Sequence, residues 1–323
     1  MNFFRPIARA VLACAIASAS LLASAALTPD QAADLSEKVE AGDQSALKTL
    51  TAEAQQGNPY AQNSLGELYY EGHGVAQDYG QAAQWYRKAA EQGNASAQHN
   101  LGWMYANGTG VARDDAEAAK WYRKSAEQGN ASAQARLGWM YANGTGVARD
   151  AAEAAKWYRK AAEQGNAAAQ NNLGFLYVDG QGVPQDYGQA AHWYRKAAEQ
   201  GNAAAQNGLG LLYAKGRGVI QDWDKAAQWS RKAAEQGNAM ALGNLGDLYW
   251  TGLGVAPSMV AAFALYKLSA THGNKEAENK RAEVEGGMTD EEIKDALALM
   301  RKLREAGNSL QPLDEYLAAR GPR

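Results

Sequence analysis

Residues able to do chemistry are few in this chain, and their spacing keeps them apart. The four histidines, His73, His99, His192 and His272, fall at four different positions of a 36-residue period. A repeat array would point them from four different faces, so no shared metal site is expected. The acids Asp78, Asp114, Asp150, Asp186 and Asp222 recur one period apart, which suits helix caps and not a catalytic pair of carboxylates. Neither a Gly-x-Ser-x-Gly elbow nor a His-Glu-x-x-His helix is present. Glycine pairs such as Gly144-Thr-Gly146 join helix to helix and follow no strand, so they read as turns and not as phosphate cradles. No catalytic residue, cofactor or metal is therefore expected.

Binding chemistry has more to work with. On the first helix of each period, residues at positions 4, 8, 11 and 15 fall on a line opposite the core leucine, because two residues advance about 200° around a helix. That line carries Asn100, Trp103 and Asn107 in one unit, Arg136, Trp139 and Asn143 in the next, then Asn172 and Phe175, then Leu211. Glu67 and Asp247 take the place of the aromatic in the outermost units, so an apolar band should have polar ends. Position 7, with Asn63, His99, Asn171 and Asn207, would widen its polar rim. Two readings stay open. The aromatics either pack sideways between adjacent first helices and complete the core, or they line a groove for a peptide or partner helix, where aromatics act as anchors and asparagine amides both donate and accept. The Trp-Tyr pairs of the second helices, such as Trp121-Tyr122 and Trp193-Tyr194, sit among alanines and are expected in the core, with glycan stacking a minor alternative.

What positions these residues is a repeat. Gly93 to Gln128 is followed by Gly129 to Gln164 with four changes: His99 to Ala135, Asn100 to Arg136, Asp115 to Ala151 and Ser125 to Ala161. The same frame begins at Gly57, Gly93, Gly129, Gly165, Gly201 and Gly237, and self-similarity at this period signals a solenoid. In each unit Gly ends one helix and Asn caps the next. A first helix, A, is predicted from the third to the fifteenth residue, with Ala97, Leu101, Met104 and Tyr105 as its core stripe. Gly108 stops it, the loop uses glycines at positive φ, and Asp114 caps a second helix, B, with an alanine-rich face. A glycine recurs inside helix A, from Gly66 to Gly246. It costs about 1 kcal/mol against alanine, and close contact with the alanines of helix B is the expected compensation.

The pattern Ala-x-x-x-Leu-Gly-x-x-Tyr-x-x-Gly-x-Gly-Val, then Asp, Ala-Ala, Trp-Tyr and Ala-Ala-Glu-Gln-Gly-Asn, resembles the Sel1-like repeat, a relative of the tetratricopeptide repeat. The resemblance implies an all-α fold, a right-handed α-solenoid superhelix of helix pairs, and a scaffold or adaptor role. Exported bacterial members of that family are similar to regulators of envelope signalling, to host-interaction factors and, in a cysteine-rich branch, to penicillin-binding or β-lactamase-like proteins. The cysteine framework of that branch is missing here.

Residues 1–25, with Arg5, Arg9, an apolar run from Ala10 to Leu22 and Ala23-Ser24-Ala25, read as a secretory leader. Cys14, the single cysteine, would leave with it, so disulfides should play no part in stability. The mature chain is expected in the periplasm or secreted. Residues 26–56 should form N-terminal capping helices, 57–272 the six repeats, 273–307 C-terminal capping helices and 308–323 a flexible tail with a short turn of helix. With 32 basic and 35 acidic residues and no basic stripe, nucleic acid is not an expected partner. No segment after the leader is apolar for long enough to span a membrane. The expected partner is a protein or peptide, bound by a monomer with no enzymatic activity.

Overall fold

The computed structural model describes residues 27–307 and 309–320, which form seventeen α-helices. The expected leader, with Cys14, lies outside the described residues. α1 (Pro29–Glu40) and α2 (Gln44–Gln55) make an N-terminal hairpin. Six A/B pairs follow: α3 (Pro59–Glu71) and α4 (Tyr79–Glu91), α5 (Ala95–Asn107) and α6 (Asp115–Glu127), α7 (Ala131–Asn143) and α8 (Ala151–Glu163). The series continues with α9 (Ala167–Asp179) and α10 (Tyr187–Glu199), α11 (Ala203–Lys215) and α12 (Trp223–Ala234), and α13 (Ala239–Thr251) and α14 (Met259–Thr271). α15 (Lys275–Glu285), α16 (Asp290–Glu305) and α17 (Gln311–Arg320) close the chain. The fold is an all-α solenoid.

Local chemistry sets the helix ends. The Asn94 side chain accepts from the N–H of Ala97 at 2.9 Å, and Asp114 accepts from those of Ala116 and Glu117 at 3.0 Å. Each satisfies donors that a helix N-terminus leaves unpaired. Gly108 ends α5 at φ +69°, where any residue with a Cβ is strained. The second loop glycine has a further reason to be glycine. A Cβ on Gly146, itself at φ +67°, would lie 2.0 Å from the carbonyl oxygen of Asp115, so each loop is pressed onto the start of helix B in the preceding unit.

Neighbours supply one another's core. Ala82, Ala83, Tyr86, Ala89 and Ala90 of α4 share one cluster with Ala97, Leu101 and Met104 of α5 and Trp121 of α6. No unit could bury that surface alone. The helix-A glycine makes its close contact with a ring, and not with alanine as the repeat pattern suggested. A Cβ on Gly138 would meet Tyr158 Cδ1 at 2.8 Å, and Gly66, Gly102, Gly174 and Gly246 meet Tyr86, Tyr122, Tyr194 and Tyr266 in the same way. The fifth unit has Ser230 in place of the tyrosine, with its Oγ 3.0 Å from where a Cβ on Gly210 would be. The far edge of each ring reaches the next helix A: Tyr194 Cε2 would be 2.9 Å from a Cβ on Gly208.

A polar ladder runs beside the rings. Buried Gln98, Gln134, Gln170 and Gln206 donate Nε2 to the carbonyls of Ala90, Ala126, Ala162 and Ala198 at 3.0–3.1 Å. Their Oε1 atoms accept from Gln128, Gln164, Gln200 and Gln236 at 2.7–2.8 Å. Two polar side chains thus satisfy each other and the preceding unit's backbone, which is what burial of an amide requires. Leu242 takes this position in the sixth unit, and the ladder stops there. Successive A helices α7, α9 and α11 touch one another directly and form one continuous wall, the face expected to line the inner groove.

In the C-terminal tail, the short turn of helix expected near Leu313 to Ala319 is part of α17, residues 311–320, with Leu310 and Leu313 buried and Asp314 paired to Arg231 at 2.5 Å. Pro312 falls in the first turn, where its missing N–H costs nothing, so a proline that looks like a breaker in the sequence opens a helix here.

The ring contact yields a stability prediction. Gly138→Ala gains helix propensity worth about 1 kcal/mol, but its Cβ overlaps a buried ring that has nowhere to move. The net effect should be a loss of about 1–3 kcal/mol in chemical denaturation followed by circular dichroism. A variant as stable as the parent would refute the contact.

Candidate functional site

The inner wall is built from the A helices and floored by the phenols of the B helices between them. The hydroxyl of Tyr266 stays with Asp247 of its own unit, but where a tyrosine ring spans two A helices its hydroxyl arrives at position 8 of the next unit. Asn100 pairs there with Tyr86 and also with Glu67, and Asn172 pairs with Tyr158. Removal from water pushes Tyr122, Tyr158 and Tyr194 up to about 12 from an ordinary 10.0. Tyr86 and Tyr266 are raised further by the same cause.

The predicted stripe divides into two kinds of position. Trp139 is 46% exposed and Phe175 49% exposed; both rings stand on the inner surface of the middle units. Trp103 is half-buried, with its ring edge-on to Tyr70 at 5.6 Å, and Leu211 is half-buried. Asn107 and Asn143 each donate Nδ2 to the carbonyl of Trp103 and Trp139 at 2.8 Å. That bond orients the amide and leaves its Oδ1 and second N–H pointing to solvent. Arg136 is exposed beside them, and its charge together with burial keeps His99 below the usual histidine range, burial being the larger cause. Position 7 does not form the polar rim expected of it: Asn63 is buried, His99 lies against the Tyr122 ring at 5.5 Å, and Asn207 accepts from Asn244 at 2.7 Å.

The two ends of the wall are unlike. At the C-terminal end, Asp247 accepts from Tyr266 at 2.6 Å and from Lys280 of α15 at 2.8 and 2.9 Å, so the cap helix closes the groove with its own ammonium. At the N-terminal end, two adjoining clefts of about 610 and 480 Å3 share Glu40 and Glu67. Glu67 is open to solvent yet surrounded by protein. Desolvation raises its carboxyl above the usual range, opposed by hydrogen bonds from Asn63 and Asn100 and helped by the charges of Glu40 and Glu71. The sequence showed Glu67 as a polar end of the stripe, and Tyr70 and Glu71 follow it at spacings of three and four on α3; the approach of Glu40 depends on where the N-terminal hairpin docks, and no local pattern signals that.

The Trp-Tyr pairs of the B helices are core. Trp121, Trp157 and Trp193 are buried, and the exposed face of each ring is covered by a lysine, with Lys124 Nζ 4.1 Å from its ring centre. Among the described residues, no cluster of three or more His, Cys, Asp or Glu side chains is arranged to hold a metal, and no helix is long and apolar enough to cross a membrane.

Comparison with known proteins agrees with this architecture. Six consecutive segments, 59–94, 95–130, 131–166, 167–202, 203–238 and 239–274, match the family model described as the Sel1 repeat, in a frame two residues later than the glycine count used above. The crystal structure of a Sel1 repeat protein from Oxalobacter formigenes is 38% identical, with 75% of this chain and 96% of that one covered and a TM-score of 0.65. A protective antigen of uropathogenic Escherichia coli strains, c5321, with an SLR fold, is 33% identical over 86% of this chain and 76% of that one, at a TM-score of 0.37. The immunity protein Pa5087 from Pseudomonas aeruginosa is 24% identical over 64% and 82%, at a TM-score of 0.41. No curated protein matches the chain.

The buried phenols predict a pH response. A phenol harder to ionise folded than unfolded contributes fully to stability below pH 10 and loses that contribution as pH climbs through about 12. Ultraviolet titration should show Tyr122, Tyr158 and Tyr194 ionising only as helical circular dichroism falls. Ionisation of all tyrosines in a single step, with helicity intact, would contradict the packing.

Proposed function

Because the chain belongs to the Sel1 repeat family, whose members generally mediate protein–protein interactions, we propose that it is an exported, non-enzymatic platform holding a protein or peptide along its inner wall. The observation that carries this reading is the pair of half-exposed rings, Trp139 and Phe175, on consecutive A helices. A large aromatic left in water on a concave surface loses the stabilisation of burial unless a partner covers it, and such rings are the usual anchors of interfaces. Arg136, Asn143 and Asn172 surround them with hydrogen-bonding groups suited to an extended backbone. Cap residues close the C-terminal end of the wall through Lys280, so the partner's path runs over the first to fifth units. The leader over 1–25 supports export, and holding a partner in the envelope is the role that fits an exported scaffold acting as a monomer.

The test separates anchors from core. Trp139→Ala with Phe175→Ala should leave the thermal melt within a few degrees of the parent, because both rings are half in water. The same variant should weaken peptides selected from a displayed random library by about tenfold or more. Trp103→Ala, which removes the contact with Tyr70, should lower the melting temperature as well. Unchanged peptide affinity in the double variant would sink the groove reading.

A further inference from the structure

The N-terminal cleft has a chemistry of its own. Glu40 comes from the hairpin, Glu67 and Glu71 from α3, and the walls are Tyr70, Tyr86 and Trp103. Three carboxylates and three aromatic rings therefore face one space of about 480 Å3, and no lysine or arginine lines it or the adjoining cleft among the described residues. The basic side chains in its lining are the imidazoles of His73, whose Nδ1 is 3.7 Å from Glu40, and His99. Asn63, nine-tenths buried at the foot of the adjoining cleft, donates Nδ2 to Glu67 Oε1 at 3.0 Å, while its Oδ1 has no donor among the described residues.

The opposite end of the same molecule shows what a carboxylate at this repeat position binds. Glu67 and Asp247 hold equivalent places in the first and sixth units. Asp247 is met by Lys280 with both carboxylate oxygens within 2.9 Å. Lys280 stands at position 8 of the turn that follows Asp247; at Glu67 that place is taken by Asn100, a neutral amide, and the hairpin adds Glu40, so no lysine or arginine meets this carboxylate among the described residues.

We propose that the Glu40–Glu67–Glu71 cleft is the socket for a lysine or arginine side chain of the partner, which brings the positive charge that Lys280 brings to Asp247. Carboxylates give the charged head its hydrogen bonds, and the faces of Tyr70 and Trp103 attract the same cation through their quadrupoles. The inference rests on the inner wall being the binding surface and adds the chemistry of one end of the ligand: a basic residue at the N-terminal end of the groove, with apolar residues following toward Trp139 and Phe175.

The probe is a fluorescein-labelled peptide alternating arginine with leucine, compared by fluorescence anisotropy with a counterpart in which citrulline, a neutral isostere, replaces each arginine. The full mature chain should bind the arginine peptide about tenfold more tightly or better, as an ion pair in a partly desolvated cleft requires. Glu40→Gln with Glu67→Gln should abolish that preference, whereas Glu127→Gln with Glu163→Gln, two exposed acids at the ends of α6 and α8, should keep it despite the same loss of charge. Equal affinity for the two peptides, a preference that survives in the Glu40 and Glu67 variant, or no binding of the arginine peptide would each overturn the socket. Trp139→Ala with Phe175→Ala keeps the two ideas apart. If it weakens both peptides alike while no arginine preference exists, the groove stands and the socket falls; if it has no effect while the preference depends on Glu67, the socket stands and the groove reading falls.

Discussion

A tyrosine ring lying where a Cβ would otherwise be sets the spacing of the whole coil. Tyr86, Tyr122, Tyr158, Tyr194 and Tyr266 each rest on a helix-A glycine, and Tyr86, Tyr158 and Tyr194 also reach Asn100, Asn172 and Gly208 of the following unit. The glycine gives up about 1 kcal/mol of helix propensity at each site, and the burial of a large aromatic, worth on the order of 2–3 kcal/mol, more than offsets it. One side chain thus ties two successive A helices together, and the wall they form is a consequence of packing. Position 11 carries Glu, Trp, Phe, Leu and Asp in different units: Trp139 and Phe175 stand half in water, whereas Trp103 and Asp247 pack against Tyr70 and Tyr266.

Much of this was legible in the chain. Asn94, Gly108 and Asp114 act through hydrogen bonds and dihedrals within a few residues of themselves, so the helix limits at the third and fifteenth repeat positions follow from sequence alone. The contact of Gly102 is different in kind. Its partner, Tyr122, lies on another helix, and periodicity shows that a small residue is needed without showing what presses on it. The docking of the tail is illegible for a related reason: Leu310 and Leu313 are too few to make a period, and what holds them is contact with α16 and the reach of Asp314 to Arg231. Asn63 and His99 looked like rim residues by helical angle, but Asn63 is buried beside Glu67 and the Tyr122 ring of its own unit lies against His99.

The wall also has a direction that its near-identical units conceal. Its first unit gathers carboxylates, its third presents Arg136, and its sixth is sealed by Lys280 and Tyr266 on Asp247. Polarity of this kind comes from the caps and from single replacements at positions 8 and 11, and position 8 also meets the rings, as Asn100, Asn172 and Gly208 do. Little of the ionic chemistry is tied up in stability: ion pairs such as Lys120 with Glu117 lie in solvent and contribute little.

The glutamine ladder and the tyrosine contact recur unchanged at the junctions on either side of α7 and α8. One whole unit could be excised there, or copied in, and every remaining helix would still meet a neighbour of the kind it meets now. The length of the molecule is in that sense adjustable in whole steps, like links in a watch strap, with the two clasps left as they are. A lineage carrying such a chain can vary its reach by recombination between nearly identical stretches, without first solving a new folding problem.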